Sequence, residues 1–214
     1  MSQYADEMHT WGMMKIAKEE GHPLELLVTP LTNSGMKSNI PMTRIWAMPS
    51  KWTFTIKPIK NLLQRYVNDG RNWVDPFAGE NSPAEITNDL NKDRKATHHL
   101  DALEFLQQQE SESAIGLLYD PPYSFRQASE CYKTAGYESA WKVTKMDYWS
   151  NCKNEIARIA KPCGIVISFG WNSNGMGKTR GFEIVEILIV PHGGDKNDTI
   201  VTVERKLAGL FDPK

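Results

Sequence analysis

The chain has 214 residues, of which 40% are apolar and 24% are charged, and its formal net charge is −1. This length and apolar content are those of one globular domain with its own core. The charge balance excludes binding to nucleic acid through bulk electrostatics, because such binding draws on clustered Lys and Arg. The sequence contains no run of ~18 apolar residues, so no membrane span is predicted.

The cysteines and the N-terminus bear on the cellular compartment. Cys131, Cys152 and Cys163 are odd in number and lack the spacing of metal ligands, which predicts free thiols and no metal site. Asp6 and Glu7 interrupt the apolar stretch that a signal peptide would need. We therefore expect the protein to remain in the cytoplasm.

Two parts of the chain differ in composition. Residues 1–50 are predicted to form a helical and extended segment that flanks the core, with a helix over Glu7–Lys18 and an extended or mobile stretch over Leu31–Pro49. Residues 51–214 are predicted to form the main domain. The amphipathic pattern after Ile56 places a helix near the start of that domain.

A short strand and a tight turn follow. The strand predicted at 72–74 leads into the turn Asp75–Gly79, and Ser82-Pro83 is a capping sequence that predicts a helix. A strand, a small-residue turn and a helix form the first unit of a nucleotide-binding α/β sheet. Small residues in the turn allow a ligand close to the backbone, and the Asp75 carboxylate suits a cationic amino group. The alternative is an ordinary surface turn.

The most informative motif closes a predicted buried strand, Ala114–Tyr119, with Asp120-Pro121-Pro122-Tyr123. An aromatic exocyclic amine is a weak nucleophile because its lone pair is delocalised into the ring. Two acceptors, the Asp120 carboxylate and the Pro121 carbonyl, would localise that pair, and Tyr123 would stack on the base. The prolines fix the two acceptors relative to each other. The alternative is a loop breaker followed by a half-buried aromatic residue.

The C-terminal elements alternate between helix and strand. Asp147 to Ala160 has helical spacing, Gly164 to Gly170 is predicted as a buried strand, and Phe182–Val190 with Thr199–Arg205 is predicted as a hairpin.

Two loops carry cations. The segment 124–145 mixes cations with aromatic residues, and the segment 170–181 is rich in glycine. Their candidate nucleic-acid contacts are Arg126, Lys133, Lys142, Lys178 and Arg180. The alternative is that both segments are surface loops with solvated charges.

The order of the turn and the quartet resembles the amino-methyltransferases of DNA, particularly the small adenine-specific enzymes of phages and prophages. The resemblance covers roughly residue 57 to the C-terminus. It implies a Rossmann-like class I methyltransferase fold, an α/β sheet of seven mostly parallel strands with a C-terminal antiparallel hairpin, and S-adenosylmethionine as cofactor. The resemblance also implies that residues 51–214 form the catalytic domain of a bacterial or phage-encoded protein that acts in the host cytoplasm.

The resemblance also implies roles for individual residues. Lys57 and Pro58 would touch the methionine end of the cofactor. Residues 85–91 would form the second strand, with Asp89 at its end binding the ribose hydroxyls and Leu90 beside it. Asp101 would bind the adenine amine of the cofactor, and Ala102 would line its pocket. The turn residues implied in cofactor binding are Asp75, Pro76, Phe77, Ala78 and Gly79, and the catalytic residues are Asp120, Pro121, Pro122 and Tyr123.

One departure from the family pattern concerns the cofactor loop, where Glu80-Asn81-Ser82 replaces the usual small residues and places a carboxylate near that of the cofactor.

The predicted function is methylation of the exocyclic amine of adenine in DNA. The alternatives are the cytosine amine, adenine in RNA, or a catalytically silent methyltransferase-like subunit. DNA is the expected partner, and a homodimer or second subunit is a source of target recognition.

Overall fold

The computed structural model describes residues 39–137 and 147–208. The helix predicted over Glu7–Lys18 and the candidate contact Lys142 lie outside the described residues. Within the described ranges, no helix is long and apolar enough to cross a membrane.

The core of the domain is a seven-stranded sheet in the order β1-β6-β7-β5-β4-β2-β3. Strand β7 runs antiparallel to both of its neighbours, and every other pairing is parallel. The predicted fold class, a mostly parallel sheet closed by an antiparallel hairpin, is confirmed. The strands are β1 (Met42–Arg44), β2 (Trp73–Asp75), β3 (Ile86–Thr87), β4 (Ala114–Tyr119), β5 (Ala160–Gly170), β6 (Phe182–Val190) and β7 (Thr199–Lys206).

Apolar residues pack on both faces of the sheet, as expected of parallel strands buried between helices. Leu117 and Val166 lie in one core cluster, and their strand neighbours Leu118 and Ile167 lie in the other, since successive side chains point to opposite faces. The helices that supply the rest of these cores are α1 (Lys57–Tyr66), α2 (Ala102–Gln107), α3 (Phe125–Thr134) and α4 (Tyr148–Ile159). Two short 3₁₀ turns, Thr53–Thr55 and Lys178–Arg180, complete the described elements.

The helix predicted at Ser82-Pro83 is wrong. The chain runs without helical structure from Gly79 to β3, and it is tied down at two points. Ser82 Oγ donates to Asp75 Oδ2 at 2.6 Å, and the backbone N–H of Glu85 donates to the carbonyl of Gly70 at 3.0 Å. The capping serine is therefore used in a tertiary contact, and the short connection leaves no room for a helix.

Two other boundaries differ from the predictions. Strand β5 begins at Ala160, so its first residues include Pro162, and a bulge interrupts its pairing with β4. The strand expected over residues 85–91 is limited to β3, because its partner β2 ends at Asp75 and the carbonyl of Asn88 accepts from Ala78 in the turn. The edge strand β1 comes from the stretch predicted as extended or mobile.

Candidate functional site

A cavity of about 500 Å³ opens where strands β2 and β4 end, and it receives both sequence motifs. Because β2 and β4 are parallel neighbours, the residues that follow them emerge at the same edge of the sheet. Ligand pockets in proteins are commonly about 300–1,000 Å³, so this cavity can hold a small cofactor. The predicted site residues that line it are Pro76, Phe77, Ala78, Gly79, Asp89, Leu90, Ala102, Asp120, Pro121, Pro122 and Tyr123.

Asp75 holds the turn together and is fully buried. Its Oδ1 accepts from the backbone N–H of Phe77 at 2.9 Å, and its Oδ2 accepts from Ser82 Oγ at 2.6 Å. Burial raises the pKa of Asp75 to about 7, these two hydrogen bonds lower it, and the nearby carboxylates Asp120 and Asp89 raise it. Asp75 does not line the cavity, and its hydrogen bonds hold the turn in shape.

Gly79 and Asp89 join the turn to the end of β3. Gly79 has φ +56°, in the left-handed region that favours glycine, and its N–H donates to Asp89 Oδ2 at 3.0 Å. A Cβ at Gly79 would lie 3.1 Å from the ring of Trp52, so the turn and this ring are in close contact. The second Asp89 oxygen accepts from the backbone N–H of Asn91 at 2.8 Å. Asp89 is therefore held in one orientation at the cavity.

The unusual carboxylate in the cofactor loop is neutralised. Glu80 Oε1 accepts from Arg94 Nη1 at 2.7 Å, and both side chains are about three-quarters buried. The Arg94 guanidinium also lies 5.0 Å from the centroid of the Trp52 ring, at a distance typical of a cation–π contact. Arg94 thus supplies the compensation for Glu80 that the loop sequence alone does not show.

The catalytic candidates lie at the mouth of the same cavity. The Tyr123 hydroxyl donates to Asp120 Oδ1, and a hydrogen bond from the Thr53 side chain also reaches Asp120. Burial raises the pKa of Asp120 to about 6, and these two hydrogen bonds lower it. Asp120 is therefore mainly ionised at neutral pH, and an ionised carboxylate is an acceptor for an amine hydrogen.

Asp101 does not line the cavity. It caps helix α2 by accepting from the backbone N–H of Leu103 at 3.1 Å, and it also accepts from the Tyr148 hydroxyl at 3.1 Å and from the Tyr132 hydroxyl. Burial is the main cause that raises the pKa of both tyrosines. The two tyrosines line the cavity in its place, so Asp101 holds these two residues of the cavity wall in position through hydrogen bonds.

Lys57 and Pro58 also lie away from the cavity. Lys57 is exposed at the first position of helix α1, and Pro58 is buried beneath that helix. The residues ahead of the helix reach the cavity instead, with Trp52 over the turn and Thr53 bonded to Asp120. Within this segment, the residues that line the cavity lie a few positions before Lys57.

The candidate nucleic-acid contacts differ in their surroundings. Arg126 pairs with Glu130 on the exposed side of α3 at 2.9 Å, and Lys133 and Lys178 are exposed. Arg180 is occupied by protein, since its guanidinium donates to Asn154, Ser150 and the carbonyl of Met176. Of the four described candidates, Arg180 therefore has a structural role.

Several cavity residues were missed by sequence reasoning. They are Trp52, Thr53, Arg94, Tyr132, Tyr148 and Trp149. Trp52 and Thr53 lie a few residues before Lys57, and Arg94 lies a few residues after Leu90, so these three flank positions that the resemblance indicated. Tyr132, Tyr148 and Trp149 come from helices α3 and α4, and the fold brings them to the site.

No protein-family model matches the chain, and no curated protein matches it. Solved structures do match. A 1,6-didemethyltoxoflavin-N1-methyltransferase from Burkholderia thailandensis, crystallised with 1,6-didemethyltoxoflavin and S-adenosylhomocysteine, is 12% identical over 71% of this chain and 77% of its own, with a TM-score of 0.49. The N-methyltransferase NodS from Bradyrhizobium japonicum WM9 is 10% identical over 71% of this chain and 95% of its own, with a TM-score of 0.46.

TrmN from Thermus thermophilus is 15% identical, with a TM-score of 0.46, and the match covers 71% of this chain but only 49% of TrmN. The chain therefore spans about half the length of that protein. Identities and scores at this level identify no substrate for the present chain.

Proposed function

We propose that this protein transfers a methyl group from S-adenosylmethionine to the exocyclic amine of adenine in DNA. The observation that supports this most strongly is the convergence of the Pro76–Gly79 turn and the Asp120–Tyr123 quartet on one cavity. The two motifs are separated in sequence by β3, α2 and β4, so their meeting is a consequence of the fold.

The cavity fits the proposed cofactor in size and in the chemistry of its walls. Asp89 and Leu90 would hold the nucleoside, and Ala102 would line the same part of the pocket. The turn around Ala78 and Gly79, whose N–H groups already donate to Asn88 and Asp89, would lie against the amino-acid end of the cofactor. When bound, S-adenosylmethionine supplies an electrophilic methyl carbon on a positively charged sulfur, which leaves with the bonding electrons as a neutral thioether.

The residues of the quartet would orient the amine. Asp120 and the Pro121 carbonyl accept its two hydrogens, which directs the nitrogen lone pair towards the methyl carbon. Asp120 would then accept the extra proton from the methylated nitrogen and pass it to water. Tyr123 keeps Asp120 in position through its hydroxyl. A base inside a duplex could reach this site only by leaving the stack.

The first experiment identifies the product. Purified protein is incubated with methyl-labelled S-adenosylmethionine and, separately, unmodified genomic DNA and unmodified RNA, and each polymer is digested to nucleosides. We expect the label in N6-methyladenine from DNA. Label in a cytosine derivative or in RNA would reject the substrate but keep the chemistry. Failure to bind the cofactor by calorimetry would favour the silent-subunit alternative and reject the proposed function.

The second experiment tests the role of Asp120. Asp120→Ala should lower the methylation rate by far more than tenfold, a much larger change than the accompanying loss of cofactor affinity, while the protein stays folded under the assay conditions. A rate within about tenfold, equivalent to ~1.4 kcal/mol, would contradict the role. Asp195→Ala is the matched control, because that side chain is 88% exposed in the hairpin loop. At saturating cofactor the wild-type rate should also fall at acid pH, with a midpoint below about 6, because Asp120 takes up a proton there and the bound sulfonium lowers its pKa.

A further inference from the structure

The loop after β5 brings an exposed tryptophan next to the catalytic quartet. Strands β4 and β5 are parallel neighbours with Tyr119 opposite Ser168, so the residues that follow each strand emerge side by side. The centroids of the Trp171 and Tyr123 rings are 5.7 Å apart, and the ring planes cross at 67°. The Trp171 side chain remains 43% exposed. The two rings therefore form an open aromatic corner beside Asp120.

Hydrogen bonds from charged side chains hold this loop in place. Glu204 on β7 is fully buried, and its carboxylate accepts from the backbone N–H groups of Met176 at 2.6 Å and Gly177 at 2.9 Å. Lys153 donates to the carbonyl of Gly175 at 2.6 Å, and Arg180 donates to that of Met176 at 3.1 Å. Burying a carboxylate is costly unless it is hydrogen-bonded, so these contacts strongly favour one loop conformation.

The backbone of the loop lies directly on this carboxylate. Gly175 has φ +49°, and a Cβ built there would overlap the carboxylate of Glu204. Only glycine allows this close approach. The loop that begins with Trp171 is thus positioned by the sheet, and a site on a rigid support holds its ligand more precisely than one on a free loop.

We propose that Trp171 contacts the target base and that Trp171 and Tyr123 together form the two-sided receptor for it. This inference rests on the proposed function. The occupant is the planar base of an unpaired or extruded nucleotide, since stacking of a base on an aromatic side chain contributes about 1–3 kcal/mol and fits any base with an exposed face. Trp171 is not among the described residues that line the cofactor cavity, so it serves the polymer and not the cofactor.

The test compares Trp171→Ala, Trp171→Phe and the control Trp46→Ala, which removes a tryptophan of 59% exposure that lies next to β1. Cofactor affinity is measured by calorimetry, and kcat and KM are measured on the polymer that the wild type methylates. Loss of a contact that is made equally in the ground and transition states raises KM and leaves kcat unchanged. We expect Trp171→Ala to raise KM about tenfold with kcat and cofactor affinity within about twofold, Trp171→Phe to recover most of the loss, and Trp46→Ala to match the wild type.

The outcomes separate the inference from the proposed function. Methylation by the wild type with an unchanged KM in Trp171→Ala rejects the role of Trp171 and leaves the proposed function standing. A loss of cofactor affinity as large as the rise in KM also rejects it, because the tryptophan would then be shaping the cavity. Methylation of neither DNA nor RNA by a wild type that binds the cofactor rejects the proposed function itself.

Discussion

Replacement of the buried Asp75 by Asn should change how the stability of the protein depends on pH. Asp75 has a pKa of about 7 in the folded protein, against an ordinary value of 3.8, mainly because of burial. The folded state therefore binds this proton more tightly than the unfolded chain. The stability that Asp75 contributes is fully present below about pH 4 and is lost as the pH rises through about 7.

The size of this loss follows from the shift. About three pKa units at ~1.4 kcal/mol each give about 4 kcal/mol in total, of which about 2.5 kcal/mol falls between about pH 5 and about pH 8. Asn cannot ionise, and its side chain can still accept from the Phe77 N–H and donate to Ser82 Oγ. The free energy of unfolding of Asp75→Asn should therefore rise relative to the wild type by about 2.5 kcal/mol over that interval.

Urea unfolding of both proteins at the two pH values measures this difference in the free energy of unfolding. The change of the difference with pH separates the effect of ionisation from any pH-independent loss of stability that the substitution causes. Asp195→Asn, in the exposed hairpin loop, is the control and should follow the wild type. A constant difference between wild type and Asp75→Asn across the interval would refute the reasoning, because Asp75 would then carry the same charge in both states.

Two further predictions concern the walls of the cavity. Arg94→Ala should weaken the binding of S-adenosylmethionine about tenfold, because it leaves the Glu80 carboxylate unpaired. The double variant with Glu80→Gln should bind the cofactor as the wild type does. If calorimetry shows that the two single losses of binding free energy add up in the double variant, the pairing is contradicted. Asp101→Ala should lower the free energy of unfolding by about 2–4 kcal/mol, because the hydroxyls of Tyr132 and Tyr148 lose their acceptor and α2 loses its cap. Urea unfolding within about 0.5 kcal/mol of the wild type would show that these bonds are not stabilising.

The elements that the sequence predicted well are those with a long local signal. The strand Ala114–Tyr119 has the predicted bounds, the hairpin strands differ by at most one residue, and the helix before β5 agrees to within one residue at each end. In each case apolar periodicity and the following turn residues indicate the same element. The resemblance implied a seven-stranded, mostly parallel sheet with a C-terminal antiparallel hairpin, and the structure has this sheet.

The elements that the sequence missed depend on distant contacts. The Ser82-Pro83 sequence carries a valid capping signal, yet Ser82 Oγ bonds Asp75 and no helix forms. A local preference of about 1 kcal/mol is easily outweighed when a buried carboxylate needs a donor. Arg94 and Tyr132 were missed for a related reason, since each reaches the cavity through a partner that is distant in sequence.

The charges around the cavity favour a cationic ligand over a phosphorylated one. Among the described residues that line it, Asp89, Asp120 and Glu130 are acids, while Lys51 and Arg94 are bases. Arg94 is already paired with a carboxylate, which leaves Lys51, on an exposed segment, as the remaining lining cation. A polyphosphate at the quartet would meet the Asp120 carboxylate in a partly desolvated site, where like charges repel strongly. A sulfonium or ammonium group would instead be attracted there, and it would also lower the raised pKa of Asp120. Tight binding of a nucleoside triphosphate without binding of S-adenosylmethionine would overturn this assignment of the cavity.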